Sequence, residues 1–202
     1  YDGYSVDVLI DADSELFTAI NVYAAGGSES ASALVLLEQE QSAHGNQIKQ
    51  LSIDGAGYDG PVLRKLESEE GPNVKTFVPP KAQSNGGKFT ADQFELSEDG
   101  SHMTCPAGKQ SQYKQRDNRR EATAYRFPTE ACHSCLLMNQ CIDAKQKHGR
   151  TVHRSDYEVE YEQVRQRSQT EEYAEVKREH PKVERKLGEV RNAHGGRRAR
   201  YR

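Results

Sequence analysis

The sequence predicts an α/β fold: a mixed sheet with flanking helices, interrupted by a cysteine-containing insertion. Three observations carry this. Over residues 4–78 apolar positions alternate between the two-residue period of strands and the wider spacing of helices. Residues 80–155 lose that pattern and hold all four cysteines. Helical spacing then returns from residue 157 and runs into a basic C-terminus.

Tyr4 to Asp11 alternates well enough for a strand, and Leu16 to Ala24 makes a second. Asp11-Ala12-Asp13-Ser14 between them is turn chemistry, so the two form a hairpin. Residues 30–43 change period to that of a helix, with Ser28 or Ser30 as its cap. Gln50 to Ile53 is a short strand that ends on Asp54, and Gly55-Ala56-Gly57-Tyr58 turns the chain into a helix from about Pro61 to Glu69. Val74 to Val78 gives another strand. Between 80 and 155 lie a Ser84-Asn85-Gly86-Gly87 loop, a short aromatic pattern from Phe89 to Leu96 and an almost wholly polar stretch from Gln110 to Arg120. Tyr157 to Arg167 and Thr170 to Arg178 read as charged helices, with Tyr157, Tyr161 and Val164 on one face and Ser168-Gln169-Thr170-Glu171 as a capping box between them. The last helix, 181–193, has Pro181 in its first turn and Val183, Leu187 and Val190 at the spacing of one buried face. The domains are therefore 1–80, an N-terminal part of the core; 81–155, the insertion; and 156–202, the C-terminal helices and tail.

A chain of 202 residues suits one ordinary domain with a small satellite, and 34% hydrophobic content with a mean hydropathy of −0.93 leaves a compact core to only part of it. No apolar run approaches a membrane span, and Tyr1-Asp2-Gly3-Tyr4 carries no signal-peptide pattern, so the reading is a piece of a longer cytoplasmic protein. The net charge of −3 is unevenly spread: from Lys177 to Arg202 there are 10 Lys/Arg against 3 Asp/Glu, while the other 18 Lys/Arg face 28 Asp/Glu. The C-terminal end, with Arg185, Arg197, Arg198 and Arg200, is the part that attracts phosphate.

Cys105, Cys132, Cys135 and Cys141 fall within 37 residues and include one C-x2-C pair. Thiolates so spaced can share one tetrahedral zinc ion, which would supply folding free energy to a polar segment with little core. Cys105 stands alone and Cys141 lies six residues past Cys135, so reduced or disulfide-paired cysteines also fit, and His102 and His133 are substitute ligands. Two acids stand out for chemistry. Asp54 sits beyond the carboxyl end of a strand, where α/β folds gather ligand and metal sites, although a turn or cap aspartate has the same look. Glu184 lies early on the basic helix, beside its apolar stripe.

Together, Ile53-Asp54-Gly55-Ala56-Gly57-Tyr58, Val78-Pro79-Pro80-Lys81, Thr104-Cys105-Pro106-Ala107-Gly108-Lys109, Cys132-His133-Ser134-Cys135 through Cys141, and Val183-Glu184-Arg185-Lys186-Leu187-Gly188 through Tyr201 resemble the catalytic part of bacterial insertion-sequence DDE transposases, in the subgroup with a cysteine-containing insertion. The resemblance implies an RNase H-like fold in which two aspartates and a glutamate hold two magnesium (or manganese) ions about 3.5–4 Å apart. By position Asp54 matches the second acid and Glu184 the third, and Lys177, His180 and Arg191 fall where the family places DNA-contacting groups. It implies DNA ends and target as partners, a homodimer and a nucleoid location. The family's first aspartate sits on a strand before the one at 4–11, so the first strand is expected to be missing here; Asp7, Asp11 and Asp13 are poor replacements. The expectation is an inactive fragment of an active parent. A noncatalytic, zinc-stabilised DNA-binding protein from a decayed element is the alternative, and an unrelated nuclease on the same fold is a third.

Overall fold

The computed structural model describes residues 3–24, 29–83 and 85–194. In chain order the elements are β1 (Tyr4–Ile10), β2 (Phe17–Ala24), α1 (Glu29–His44), β3 (Gln50–Ser52), α2 (Gly60–Glu67), β4 (Lys75–Phe77), β5 (Glu95–Leu96), β6 (Met103–Thr104), β7 (Tyr113–Asp117), β8 (Ala122–Arg126), α3 (Thr129–His133), α4 (Met138–Cys141), β9 (Thr151–Ser155), α5 (Glu158–Arg167), α6 (Glu171–Glu179) and α7 (Pro181–Ala193). They form two compact units, one of residues 1–81 and 159–202, the other of residues 82–158. Among the described residues no helix is long and apolar enough to cross a membrane.

In the first unit β1 and β2 pair antiparallel, Val6 opposite Val22 and Val8 opposite Ile20. The turn closes because the Asp11 carboxylate accepts from the Ser14 N–H (2.8 Å) and hydroxyl (2.6 Å). One face of the ribbon meets α1; on the other, Tyr4, Val6, Ile20 and Val22 stay 50–75% exposed. β3 and β4 pair in parallel, and α2 between them is the crossover that parallel neighbours need. Leu37 of α1, Leu51 of β3, Val62 and Leu66 of α2 and Val74 make the core, with Leu9 of β1 packed against it. Fully burying Leu66 contributes about 2 kcal/mol on its own. Val164 of α5 packs with Leu63 and Val78. Beside them the Glu67 carboxylate accepts from the Thr76 N–H and hydroxyl and from both Nη atoms of Arg167, whose Nη1 also donates to the Thr76 carbonyl at 2.5 Å.

The α/β class read from the sequence is what the structure shows, with the strands in small sheets. Among the described residues the first unit has two separate two-stranded sheets, β1-β2 and β3-β4, which meet through side chains of one core and not through a backbone ladder. β1 and β3 each keep one edge without a strand partner among the described residues. Three smaller expectations change. Ser168 does not cap α6: its hydroxyl donates to the Arg165 carbonyl, while Thr170 accepts from the Tyr173 N–H as the cap. Tyr157 precedes α5, so its face begins at Tyr161. On α7 the Val183 and Leu187 side chains are half-buried and Val190 is exposed, because the helix meets the hairpin turn along a polar seam, Arg185 and Lys186 to Glu15 and Lys182 Nζ to the Ala12 carbonyl. Ser28 lies outside the described residues, and Ser30 is already helical.

The second unit holds β5-β6 and an antiparallel sheet in the order β7-β8-β9. Phe94, Met103, Tyr125, Phe127 and Val152 form its core, with Cys105, Cys132 and Cys141 packed against it. Gly149 is required where the chain passes Phe127: a Cβ there would stand 2.2 Å from the Phe127 carbonyl oxygen.

Candidate active site

Asp54 stands just beyond β3, whose ladder with β4 continues through the Ile53 N–H to the Phe77 carbonyl (3.1 Å). Its carboxylate accepts from the Ala56 N–H at 2.9 Å and so caps the 3-10 turn Gly55–Gly57, and the side chain remains exposed. The turn is tight: a Cβ on Gly57 would lie 2.7 Å from Ile53 Cγ2. The aspartate therefore acts as a cap in this structure.

Across that strand end runs a nearly continuous helix. His180 keeps helical backbone angles between α6 and α7, with Pro181 at the first position of α7, where a missing N–H costs no hydrogen bond. Lys177, His180 and Glu184 therefore fall at helical spacing on one face. Lys177 Nζ donates to the Ile53 carbonyl (2.7 Å) and to Ser52 Oγ (3.2 Å), and His180 Nδ1 lies 3.0 Å from the same hydroxyl. Burial pushes the Lys177 ammonium down to about 8 against the pull of Asp54. Burial, and then the charge of Lys177, holds the His180 imidazole below its usual 6.5, while Asp54 and Glu184 both pull it up. His180 thus feels both acids, one from the strand end and one from the next helical turn. Glu184 itself is exposed.

The donors suit a hard divalent cation in kind, because carboxylate oxygens are what magnesium takes, but not in number. Among the described residues no group of three or more His, Cys, Asp or Glu side chains is placed to hold a metal ion. The other predicted DNA-contacting residues part company. Arg185 Nη2 is 2.6 Å from both oxygens of Glu15, Lys177 is turned inward as described, and Arg191 is exposed. Arg197, Arg198 and Arg200 lie outside the described residues. Ser52 was not anticipated; its signal is slight, a hydroxyl beside the buried Leu51 in a strand of three residues.

The four cysteines form a second cluster, in residues 82–158. All are free thiols, and all line one small cavity of about 20 Å³, room for one water-sized occupant. Three sulfurs accept backbone N–H groups: Cys105 from Lys109 (3.3 Å), Cys135 from Leu137 (3.4 Å) and Cys132 from Arg150 (3.4 Å). Burial pushes the Cys141 thiol up, Arg150 works to lower it, and the other three cysteines raise it further. Arg150 Nε is buried with no hydrogen-bond partner among the described residues. Neither His102, which is bonded to the Ser101 hydroxyl, nor the exposed His133 lines the cavity.

A family model described as Transposase DDE domain matches residues 104–202, which bears out the resemblance to DDE transposases; Glu184 and all four cysteines lie within the match, and Asp54 lies before it. No curated protein and no solved structure matches the chain.

Proposed function

Because residues 104–202 match a family model described as Transposase DDE domain, we propose that the chain belongs to an enzyme that cuts DNA and joins the cut strand to a target, with Asp54 and Glu184 as two of its metal-holding carboxylates. The observation that supports this is that Lys177 and His180, two turns and one turn before Glu184, are hydrogen-bonded to Ser52 and the Ile53 carbonyl at the carboxyl end of the parallel strand that Asp54 follows. A magnesium or manganese pair bound there would activate the attacking oxygen and neutralise the leaving one. The chain's own residues position the site: Ser52 fixes Lys177 and His180, and Lys177 offers a proton-bearing cation next to Asp54. In this reading β1-β2 and β3-β4 are two parts of one RNase H-like sheet. DNA ends and target are the partners, engaged by a homodimer on the nucleoid.

Glu184→Gln in the complete transposase is the test. Strand cleavage falls by about three orders of magnitude, roughly 4 kcal/mol in the barrier, while DNA affinity and thermal unfolding stay within error. Cleavage at the wild-type rate would remove Glu184 from the catalytic set.

A structural zinc ion held by Cys105, Cys132, Cys135 and Cys141 is the second part of the proposal. An N–H aimed at sulfur favours thiolate, and the Arg150 guanidinium, whose Nη atoms donate to the Cys141 and Phe89 carbonyls while its buried Nε has no partner among the described residues, favours negative charge beside it; a tetrathiolate zinc centre would suit both. The noncatalytic alternative is favoured by Lys177, whose ammonium already occupies the inner side of the Asp54 strand end. Under it, Glu184→Gln changes nothing.

A further inference from the structure

We infer that the second unit carries a phosphate-binding groove of its own, built on the outer face of β7-β8-β9 and suited to the backbone of double-stranded DNA. The sheet has two unlike faces. Tyr125 and Val152, paired across β8 and β9, point into the core, so their strand neighbours point the other way. On that outer face the register lines up Tyr113, Arg126 and Thr151 in one row and sets His153 in the next. Arg119 and Arg120, from the β7-β8 turn, and His148, from the approach to β9, complete an open groove of about 1120 Å³.

Its charge is one-sided. Three arginines and two histidines line it against one acid, Asp117, which is already engaged by Arg120 (3.8 Å) and His153 (3.6 Å). Arg119 and Arg126 are exposed and have no carboxylate partner among the described residues. Arginine forks with free donors, an exposed tyrosine and hydroxyl groups on one open surface are the contact set for phosphate and sugar, which position a duplex without reading its sequence. The inference rests on the reading of the parent as a DNA-acting enzyme, but it concerns residues that the catalytic proposal does not use.

The experiment is titration of the full chain with a fluorescent duplex of about 30 base pairs of arbitrary sequence, over a range of salt, for wild type, Arg119→Gln/Arg126→Gln and Arg119→Lys/Arg126→Lys. Each phosphate contact contributes about 0.9 to the slope of log affinity against log salt. The glutamine pair therefore weakens binding tenfold or more and flattens the slope by about 2, with an unchanged thermal midpoint, while the lysine pair keeps the slope. Equal binding by wild type and the glutamine pair overturns the groove, as does a wild type that binds no duplex. Polyglutamate bound in the same salt range and lost in the glutamine pair, with duplex binding unchanged, overturns it in favour of an acidic polypeptide. Duplex binding indifferent to these arginines, beside cleavage abolished by Glu184→Gln, sinks the groove alone. Cleavage indifferent to Glu184→Gln, beside a groove-dependent slope, sinks the catalytic assignment alone.

Discussion

Arg167→Ala lowers the unfolding free energy of the first unit by about 2–4 kcal/mol, which is toward the lower part of the range for broken buried ion pairs because about a fifth of each partner still meets water. The guanidinium holds together three elements, α5 on which it stands, the Glu67 carboxylate at the end of α2 and the Thr76 carbonyl of β4. Its removal leaves a carboxylate largely out of water with only Thr76 to bond it. Urea denaturation of the full chain measures the loss, and Glu67→Gln in the same molecule recovers much of it, since the orphaned charge is then gone. An Arg167→Ala chain as stable as wild type would mean that the pair is as weak as an exposed one. The same pair sets an acid limit. Burial works to raise the Glu67 carboxyl, but hydrogen bonds from Arg167 and Thr76 and the charge of Arg167 outweigh it and hold it below its usual 4.5. A carboxyl lower in the folded than in the unfolded chain stabilises fully above the unfolded value and loses that contribution as pH falls through the folded one. The stability of wild type therefore declines below pH 4.5 more steeply than that of Glu67→Gln.

If the four thiols hold the proposed zinc ion, stripping it unfolds the second unit. With only a short five-residue core in residues 82–158, such a metal would contribute binding free energy on the order of 10 kcal/mol at neutral pH. Purified chain carries one zinc after exhaustive dialysis, a strong chelator abolishes the dispersed methyl signals of Val152 and Met103, and Cys132→Ser is metal-free. A dialysed chain without zinc that keeps those signals would end the assignment. The expected response is to metal removal alone, so oxidising conditions that pair the thiols give a different product, detectable by mass.

The local chemistry of this chain was legible and its long-range chemistry was not. Asp11 and Ser14 announce the hairpin turn because a side chain bonding its own backbone is a sequence-local event, and Pro181 announces the start of α7 for the same reason. Whether β1 and β3 join in one sheet depends on which strand lies between them, and no pattern within either strand records that. β7 was read as a polar stretch because Tyr113 to Gln115 and Arg116 face solvent on both sides of an edge strand, where apolar alternation is not needed. Asp54 and Glu184 drew notice as acids next to apolar stripes; the bond between His180 and the hydroxyl of Ser52 follows only from folding residues 52 and 180 together. Arg185 illustrates the limit on charge counting: its positive charge was legible, but its assignment to Glu15 required the turn to be placed.

Gene dosage feels the apolar face of the β1-β2 ribbon that stays exposed among the described residues. Tyr4, Val6, Ile20 and Val22 make an apolar row on a two-stranded ribbon, a template for other chains. Supply of the free chain rises in proportion to the number of gene copies, whereas encounters between two such rows rise with the square of concentration. Each added copy therefore returns less free protein than the one before it, a ceiling set by the physics of the hairpin itself.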